Sequence, residues 1–472
     1  MTVWPGALPC CVALPLAGAV LAFLLPRRVV AVGLCAALAT AAGSALVVAN
    51  IAAGGALRYA IGGWGAPLGI ELAADGLSAL MLAATAAVGL AVSVHACDYL
   101  LAAPAAPKSF WPLWLFLWSA LNALFLSADL FNVYVTLELM GLSAVALVAL
   151  AGGAAALAAA MRYLLVSLLG SLGWLLGVSL LYHATGTLDL ELMAARAPHG
   201  LALALPFGAM TAGLLLKTGL FPFHAWLPPA HGSAPAPVSA LLSALVIKAS
   251  FYLLLRLWFA LPPHGDGLSL LLGVLGAAAA LWGSVQALRQ RRLKLLVAYS
   301  TVAQLGYLFL AFPLGTELAW RGAVYLALSH ALAKGAMFLA AGCVTSRGGD
   351  DDIGRLGWVA QGMPLTLAAF ALAGISLAGL PPSGGFVGKW LLLQAAFEQG
   401  QYQWAVVLLA GGLLTAAYVF RVVGHAFMQS PGAAVRGAPG TMQWAALLLA
   451  LGAVALGFLA PWAAPLLDGV VP

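Results

Sequence analysis

Charged residues are scarce in this sequence. Among 472 residues there are 20 lysines and arginines and 14 aspartates and glutamates, so that 7% of the chain is charged, against about 25% in a soluble domain. Hydrophobic residues make up 64%, and even a large soluble domain leaves about a quarter of its chain's surface in water. This balance excludes a cytosolic enzyme, a nucleic-acid-binding protein and a secreted disulfide module. It indicates a polytopic membrane protein.

Cysteine is also scarce, and cofactor motifs are missing. No cysteines have CxxC spacing or lie near histidines at metal-ligand spacing, so we predict that they are small buried hydrophobic residues. The absence of a Walker loop, a dinucleotide fingerprint and haem or iron–sulfur spacing predicts no cofactor, no metal and no ATP-driven transport by this chain alone. The acidic run Asp350-Asp351-Asp352 is predicted to be a solvated loop, because no other ligand type accompanies it. The five cysteines are Cys10, Cys11, Cys35, Cys97 and Cys343.

Long apolar runs occupy most of the chain. A membrane-spanning helix needs about 20 mainly apolar residues, and no positive charge precedes the first run as it would in a cleaved signal peptide. The runs predict an all-α polytopic membrane protein with fourteen transmembrane helices, one of them interrupted between 363–381 and 385–398. The other predicted spans are 6–25, 29–52, 75–97, 109–127, 129–151, 157–183, 204–221, 238–260, 268–288, 294–312, 317–343, 403–426 and 441–461.

Basic residues segregate between the predicted connections. Fourteen spans put both termini on one side of the membrane. If that side is outside the cytoplasm, twelve basic residues lie inside and only Arg58 and Arg196 lie in outer connections. The positive-inside rule therefore predicts a bacterial inner-membrane protein with both termini outside the cytoplasm. The twelve are Arg27, Arg28, Lys108, Arg162, Arg289, Arg291, Arg292, Lys294, Arg347, Arg355, Arg421 and Arg436.

Ionisable residues inside the apolar runs are the main functional signal. Each costs about 2.5–3.5 kcal/mol on insertion, so such residues are rare and are commonly functional. Snorkelling to the interface remains an alternative for the lysines near helix ends. A buried lysine close to a carboxylate can switch between paired and free states, which predicts an ion-pair gate and a proton relay. The residues concerned are Glu138, Lys217, Lys248, Lys334 and Lys389.

Two spans contain breaks that share a Gly-Leu-x-Pro core followed by a tryptophan. The first break is at Pro222 and the second at Pro381 and Pro382. Proline removes a helix hydrogen bond, and irregular backbone survives at membrane depth only where protein or water covers it. Interrupted helices at corresponding places in two halves predict a transport site between repeats.

Histidines add candidates for proton transfer. His330 and Lys334 are four residues apart and share one helix face, so we predict that they act together in a relay, with a hydrogen-bonded core histidine as the alternative. His224 and His231 flank the first break and are predicted to be possible points of proton entry from the cytoplasmic water.

Six ordered segments resemble the core of the antiporter-like subunits of Mrp-type sodium/proton antiporters, respiratory complex I and membrane-bound hydrogenases. The resemblance runs over roughly residues 70–395. It implies fourteen helices with two inverted five-helix repeats, broken helices seven and twelve, and a central hydrophilic axis. The segments are ADGLSALML (74–82), DLFNVYVTLELM (129–140), KTGLFPFHAWLPPAHGSAPAPVSALLSALVIK (217–248), LKLLVAYSTVAQLGYL (293–308), SHALAKGAMFLAAG (329–342) and LAGLPPSGGFVGKW (377–390).

Carried over residue by residue, the resemblance implies a role for each ionisable candidate. It implies a glutamate on the fifth helix paired with a lysine on the seventh, further lysines on the eighth and twelfth helices, and a histidine and a lysine on the eleventh that bridge the two halves. In that order these are Glu138, Lys217, Lys248, Lys389, His330 and Lys334.

The resemblance also implies a division of the chain. Residues 1–108 would hold helices 1–3, residues 109–260 the first repeat with helices 4–8, residues 261–428 the second repeat with helices 9–13, and residues 429–472 helix 14.

The function predicted on these grounds is that of a proton-translocating subunit of a multisubunit Mrp-type Na⁺/H⁺ antiporter. The DLFNVYV stretch looks more like the Mrp D-type protein and the hydrogenases than complex I, and a lysine rather than a glutamate at position 389 argues against the M-type subunit of complex I. Two alternatives remain: a proton-pumping subunit of a redox-driven complex (a membrane-bound hydrogenase or an NADH-quinone oxidoreductase), and the membrane subunit of an inorganic-carbon uptake system. All three predict other membrane subunits as partners, protons as the transported ion and no enzyme activity of the chain alone.

Overall fold

The chain folds into a bundle of membrane helices. A computed structural model describes residues 4–102, 106–198, 200–261, 265–428 and 437–468. Within these residues, thirteen helices are long and apolar enough to cross a bilayer, and a broken helix at 364–398 supplies one more span. The predicted all-α polytopic membrane fold is confirmed.

The unbroken helices are numbered here with their membrane order, leaving positions seven and twelve for the broken ones. They are α1 (Ala7–Leu24), α2 (Val29–Gly54), α3 (Gly76–Tyr99), α4 (Ala106–Leu126), α5 (Leu130–Ala149), α6 (Gly153–Thr185), α8 (Ala236–Ala260), α9 (Asp266–Arg289), α10 (Leu293–Phe309), α11 (Glu317–Gly348), α13 (Tyr402–Phe427) and α14 (Gly440–Ala463).

Two helices are broken where the prolines predicted it. Helix α7 consists of Leu201–Thr218 and Leu227–Ser233, and α12 consists of Pro364–Ala378 and Gly384–Glu398. The first half of each ends in a glycine with left-handed backbone, at Gly219 and Gly379. Such a cap closes the helix before the prolines are reached, so the breaks begin with the glycines.

The chain also forms two short strands that the all-α prediction did not include. Strand β1 (Leu57–Ala60) pairs antiparallel with β2 (Glu71–Ala74) between α2 and α3. Each strand has only four residues, too few for an alternating pattern to stand out from the apolar helices around it. The hairpin marks one face of the bundle, called the hairpin face below.

Burial divides the helices into a centre and a periphery. The most apolar stretches of α8 and α11 are fully buried, whereas only about a third of the residues in those of α2, α13 and α14 are buried. The prediction that the cysteines are buried is wrong for Cys35, which lies on the peripheral helix α2 and is exposed. Cys11 and Cys343 are buried. In a membrane protein an apolar residue can face lipid as readily as the core, so its hydrophobicity does not signal burial.

Small residues let α6 approach the first half of α7. A Cβ on Gly170 would lie 2.7 Å from the Gly213 carbonyl oxygen, and a Cβ on Gly213 would overlap the Gly170 carbonyl oxygen. Membrane helices pack closely at such positions because no side chain separates the two backbones. This contact sets the place of Lys217, which follows Gly213 by one turn.

We expect Gly213→Ala to destabilise the fold by about 1–3 kcal/mol, the usual cost of overpacking. The measurement is thermal unfolding of the purified complex in detergent. The matched control is Gly208→Ala on the same helix, because nothing lies within 4 Å of a Cβ at that position. Equal stability of the two variants would contradict the proposed role of the contact.

Candidate functional site

Lys217 and Glu138 lie near one another but are not in direct contact. Lys217 is 4% exposed, lies in the last turn of the first half of α7, and donates from Nζ to Ser167 Oγ of α6 (2.9 Å). The partly buried Glu138 of α5 is within electrostatic range of this ammonium, yet these two described residues form no ion pair. Gly141, one turn beyond Glu138, leaves room for the arrangement, since its Cβ would lie 2.6 Å from Ser167 Oγ.

Lys248 is held at the middle of α8 by an irregular turn. It lies twelve residues from each end of Ala236–Ala260, about 18 Å from either end at the helical rise per residue, and is 1% exposed. Residues Leu242–Val246 form a π turn, and the Lys248 ammonium donates to the Ser243 carbonyl within that turn. A π turn within a helix frequently marks a functional site.

Lys334 and His330 lie at the centre of α11, both with no exposed surface. The Lys334 ammonium donates to the Val297 carbonyl (3.0 Å) and to Ser300 Oγ, both on α10. Neither ring nitrogen of His330 has a hydrogen-bond partner among the described residues. This fully buried pair is not explained by snorkelling, because neither side chain reaches an interface.

Lys389 bridges the two halves of α12. It is 8% exposed, lies on the second half and donates back to the Leu377 carbonyl (2.7 Å) at the end of the first half. Its ammonium also lies 4.4 Å from the centre of the Tyr307 ring, a cation–π contact. The last carbonyls of a helix attract a positive charge, so the break itself provides the lysine's site.

His330 connects the lysines of the two halves electrostatically. It lies within range of the charges of Lys248, Lys334 and Lys389, which come from α8, α11 and α12. The structure therefore brings together the predicted candidates of the eighth, eleventh and twelfth helices, while Lys217 and Glu138 form a separate group.

The two histidines at the first break differ in position. His231 has no exposed surface, lies within range of Lys248 and Lys334, and stacks on Phe338 with a ring separation of 5.2 Å. His224 is partly exposed and stacks on Phe221 at the break (5.5 Å). Of the two, His231 is the one within electrostatic range of buried lysines, so the structure separates the two predicted entry residues.

A polar cavity of about 600 Å³ opens beside His231 on the face opposite the hairpin. Lys294 lines this cavity, is 7% exposed and donates from Nζ to the Ala234 carbonyl, where the chain passes from α7 to α8. Its charge also acts on His231. From the sequence, Lys294 is predicted only as a basic residue of an inner connection. Its place in the first turn of an apolar helix was the signal that could have identified it.

The acidic run at 350–352 is only partly solvated, contrary to the prediction. Asp351 is 6% exposed, accepts from Arg292 Nε (2.9 Å) and from the Lys294 backbone N–H (3.2 Å), and lines the same cavity. The run therefore caps the start of α10 and supplies a negative charge beside Lys294. Spacing of the acidic residues alone did not reveal a partner 57 residues earlier in the chain.

An ion pair at the hairpin face was also missed. Arg256 on α8 binds Asp75, which caps the start of α3, with a distance of 2.6 Å from Nη2 to Oδ1, and it contacts Tyr252 and Ser78. Burial alone would raise the pKa of the Asp75 carboxyl, but the hydrogen bonds and charge of Arg256 outweigh it and the pKa lies below its usual value. The pair lines a cavity of about 340 Å³ and ties α3 to α8.

Residues 127–415, more than half of the chain, match the family described as NADH:quinone oxidoreductase/Mrp antiporter, TM. The chain belongs to this family. It is a proton-translocating, antiporter-like membrane subunit of the Mrp or complex I type, and the predicted family is confirmed.

Named relatives come from both branches of the family. The chain is 39% identical to NADH-quinone oxidoreductase subunit N of Desulforudis audaxviator (strain MP104C), over 90% of this chain and 89% of the relative. It is 28% identical to the D-type protein of the Na(+)/H(+) antiporter of Bacillus subtilis (strain 168), over 96% of this chain and 94% of the relative. A chain of the Mrp complex from Dietzia sp. DQ12-45-1b superposes with a TM-score of 0.88 and 26% identity, over 99% of this chain and 96% of that one.

We expect a cysteine at Ser233, which lines the cavity beside Lys294, to react with a membrane-impermeant thiol reagent applied from the cytoplasmic side. The expectation follows from the predicted orientation, which puts the hairpin face outside. Ala195→Cys, at an exposed position on the hairpin face, is expected to react only from the other side. The measurement is labelling in intact cells and inverted vesicles, with the parent protein as background. The reverse pattern would contradict the orientation.

Proposed function

We propose that this chain carries protons across the membrane, as a subunit of an Mrp-type Na⁺/H⁺ antiporter in a bacterial inner membrane, along a row of buried ionisable groups. The observation that carries the proposal is the set of four buried lysine side chains on α7, α8, α11 and α12, with His330 in electrostatic range of three of them. Buried charges are costly in a membrane, and a structural role would not need four. The row consists of Lys217, Lys248, His330, Lys334 and Lys389.

Glu138 is proposed to gate this row. Lys217 donates to the neutral Ser167 hydroxyl, while Glu138 is close enough to act on it. When the carboxylate approaches, the ammonium form of Lys217 is stabilised and keeps its proton. When the carboxylate withdraws, desolvation favours the neutral amine, and the proton passes towards Lys248.

Protons are proposed to enter from the cytoplasmic face through the cavity beside Lys294. His231 lies between that cavity and the central lysines, since its electrostatic neighbours include Lys294, Lys334 and Lys248. A histidine both accepts and donates a proton near neutral pH, which suits this position. His224 has no comparable neighbours in the part of the chain that the structure describes, and we assign it no step.

The antiporter assignment is supported by the near full-length similarity to the B. subtilis antiporter protein and to the Mrp complex chain. It implies other membrane subunits as partners and Na⁺ as the exchanged ion. The two halves of the relay would correspond to residues 109–260 and 261–428, with helices at 1–108 and 429–472 flanking them.

A second candidate is a proton-pumping subunit of a redox-driven complex. The 39% identity to an NADH-quinone oxidoreductase subunit N favours it. The same row of lysines would then move protons under the control of electron transfer in other subunits. An inorganic-carbon uptake system remains an alternative, with the same chemistry in this chain.

We expect Glu138→Gln and Lys217→Ala each to reduce proton translocation by roughly a hundredfold, the scale of losing a positioned proton-transfer group. Each change removes one charge of the gate. The measurement is proton flux in vesicles that contain the complex with its native partners. Glu398→Gln, which alters an exposed acid on α12, is the control and should keep the parental rate. Parental flux in both gate variants would overturn the gate.

We expect the parent complex to release protons when Na⁺ is added to acid-loaded vesicles, because the antiporter assignment couples the two ions. The measurement is the fluorescence of a pH-sensitive dye across a series of Na⁺ and K⁺ concentrations. No response to either cation, together with acidification on addition of an electron donor, would replace the antiporter by the redox-driven pump.

A further inference from the structure

The half of α8 that runs towards the hairpin face carries three polar side chains on one side. Lys248, Tyr252 and Arg256 follow one another at intervals of four residues, so they lie along one face of the helix. Arg256 is about 12 Å beyond Lys248 along the axis, at the helical rise per residue. This half, Ile247–Ala260, is called the hairpin-side segment below.

Apolar packing distinguishes poorly between neighbouring rotational settings of this segment. Positions 253–255 are three consecutive leucines, and turning the helix by one residue, about 100°, would put one leucine in the place of another. Buried polar contacts can specify a register where apolar ones do not. The setting of the hairpin-side segment therefore depends on what its polar side chains bind.

Arg256 holds the far end of the segment through several direct contacts. It donates from Nη2 to Asp75 Oδ1 (2.6 Å) and from Nη1 to Asp75 Oδ2. It also donates to Ser78 Oγ (2.7 Å) and to the Tyr252 hydroxyl (2.9 Å). The Tyr252 hydroxyl in turn donates to the Phe125 carbonyl of α4 (2.8 Å). Because a guanidinium fork binds a carboxylate in a defined orientation, these contacts oppose rotation of α8.

The partners of Arg256 on α3 are themselves held in place. Asp75 directly follows strand β2 and caps α3 by accepting from the Ser78 backbone N–H (3.0 Å). Gly76 lies so close to the Leu466 carbonyl, beyond the end of α14, that a Cβ on Gly76 would overlap its oxygen. The network thus joins the hairpin-side segment to an anchor made of the hairpin, the start of α3 and the chain after α14.

The near end of the segment meets the π turn Leu242–Val246, which holds one residue more than a regular helical turn. The Ser243 hydroxyl in this turn is hydrogen-bonded to the Thr301 hydroxyl of α10 (2.8 Å), so the first half of α8 is held separately. A return of the turn to α-helical geometry would advance the hairpin-side segment by one residue. Ile247 would then occupy the place of Lys248, and the lysine would turn by about 100°.

We propose that Asp75 and Arg256 are positioning residues, which hold the hairpin-side segment in the rotational setting that keeps Lys248 within range of His330. The inference rests on the proposed relay, in which Lys248 carries a proton. The ion pair acts through α8: while Arg256 is bound, the π turn persists and the Lys248 ammonium stays at the Ser243 carbonyl. No proton passes through the ion pair itself.

The first test is proton flux of Asp75→Asn, in vesicles that contain the complex with its native partners. Asparagine retains an oxygen that can cap α3 but removes the charge that binds Arg256. We expect the flux to fall at least about tenfold, the scale of losing a positioned proton-transfer group. The matched control is Glu191→Gln, which removes an exposed carboxylate from the same cavity but one that pairs with Arg58, and it should keep the parental rate.

The second test reads the rotation with two cysteine reporters. Leu254 and Leu255 are each 1% exposed and do not line the hairpin-face cavity, whereas Arg256 does. An advance by one residue brings Leu255 to the place of Arg256 and leaves Leu254 protected at the place of Leu255. In the Asp75→Asn background we therefore expect Leu255→Cys, but not Leu254→Cys, to react with a small membrane-impermeant thiol reagent from the hairpin side. Ala260→Cys, which lines the cavity, should react in the parent.

The two reporters separate rotation from general loosening of the fold. Labelling of both leucine positions, labelling of neither, or parental flux in Asp75→Asn would each overturn the inference. If Asp75→Asn does not assemble, Arg256→Lys decides in its place, because it keeps the charge but loses the guanidinium fork. Labelling of Leu255→Cys alone in that variant supports the inference, and protection of both reporters overturns it.

The same measurements keep this inference distinct from the relay on which it rests. Flux abolished by His330→Ala, with Leu255→Cys protected in the Asp75→Asn background, would overturn the positioning role and leave the relay intact. A parent complex that moves no protons, with Leu255→Cys still labelled only when Asp75 is changed, would overturn the relay and leave the rotational role of the ion pair standing.

Discussion

A lysine inside a membrane bundle needs an oxygen acceptor; Lys217 and Lys334 find theirs on neighbouring regular helices, whereas three other lysines use main-chain carbonyls at irregular points of the fold. This constraint links the irregular parts of the fold to its lysines. The π turn of α8 provides the acceptor for Lys248, the broken end of α12 provides the acceptor for Lys389, and the connection from α7 to α8 provides that for Lys294. The irregular backbone therefore supplies carbonyl oxygens that these lysines need, and the lysines in turn satisfy carbonyls that would otherwise lack a hydrogen bond.

The packing of the bundle follows from the same need. A lysine can donate a hydrogen bond to a neighbouring helix only where the two helices are close, and glycines at the contact allow that close approach. Gly213 lets α7 approach α6, and Gly141 leaves room for Ser167 to meet Lys217. The most apolar stretches of the central helices α8 and α11 are in turn fully buried, which excludes lipid from Lys248 and Lys334 and keeps their mutual electrostatic influence strong.

Sequence reasoning found the features that carry a large energetic cost. Lysines within apolar runs and prolines such as Pro222 and Pro381 stand out because a membrane penalises both, and the bundle and its breaks were predicted on that basis. Residues and turns that cost little free energy in their local surroundings were not predicted. Lys294 and Asp351 occur at a helix end, where charges are ordinarily solvated, and the π turn before Lys248 has no distinctive residue. Which oxygen each lysine binds depends on tertiary packing, which local patterns do not encode.

The kind of acceptor that holds each lysine has a consequence for leakage. A carbonyl oxygen of the main chain takes a hydrogen bond but is far too weak a base to take the proton itself. Lys248 and Lys389 both rest against such oxygens, so a proton on either is immobilised until the side chain swings to a histidine, a hydroxyl or a water. In the proposed relay this resting arrangement therefore blocks proton flow, which requires movement of the two lysine side chains in addition to a membrane potential.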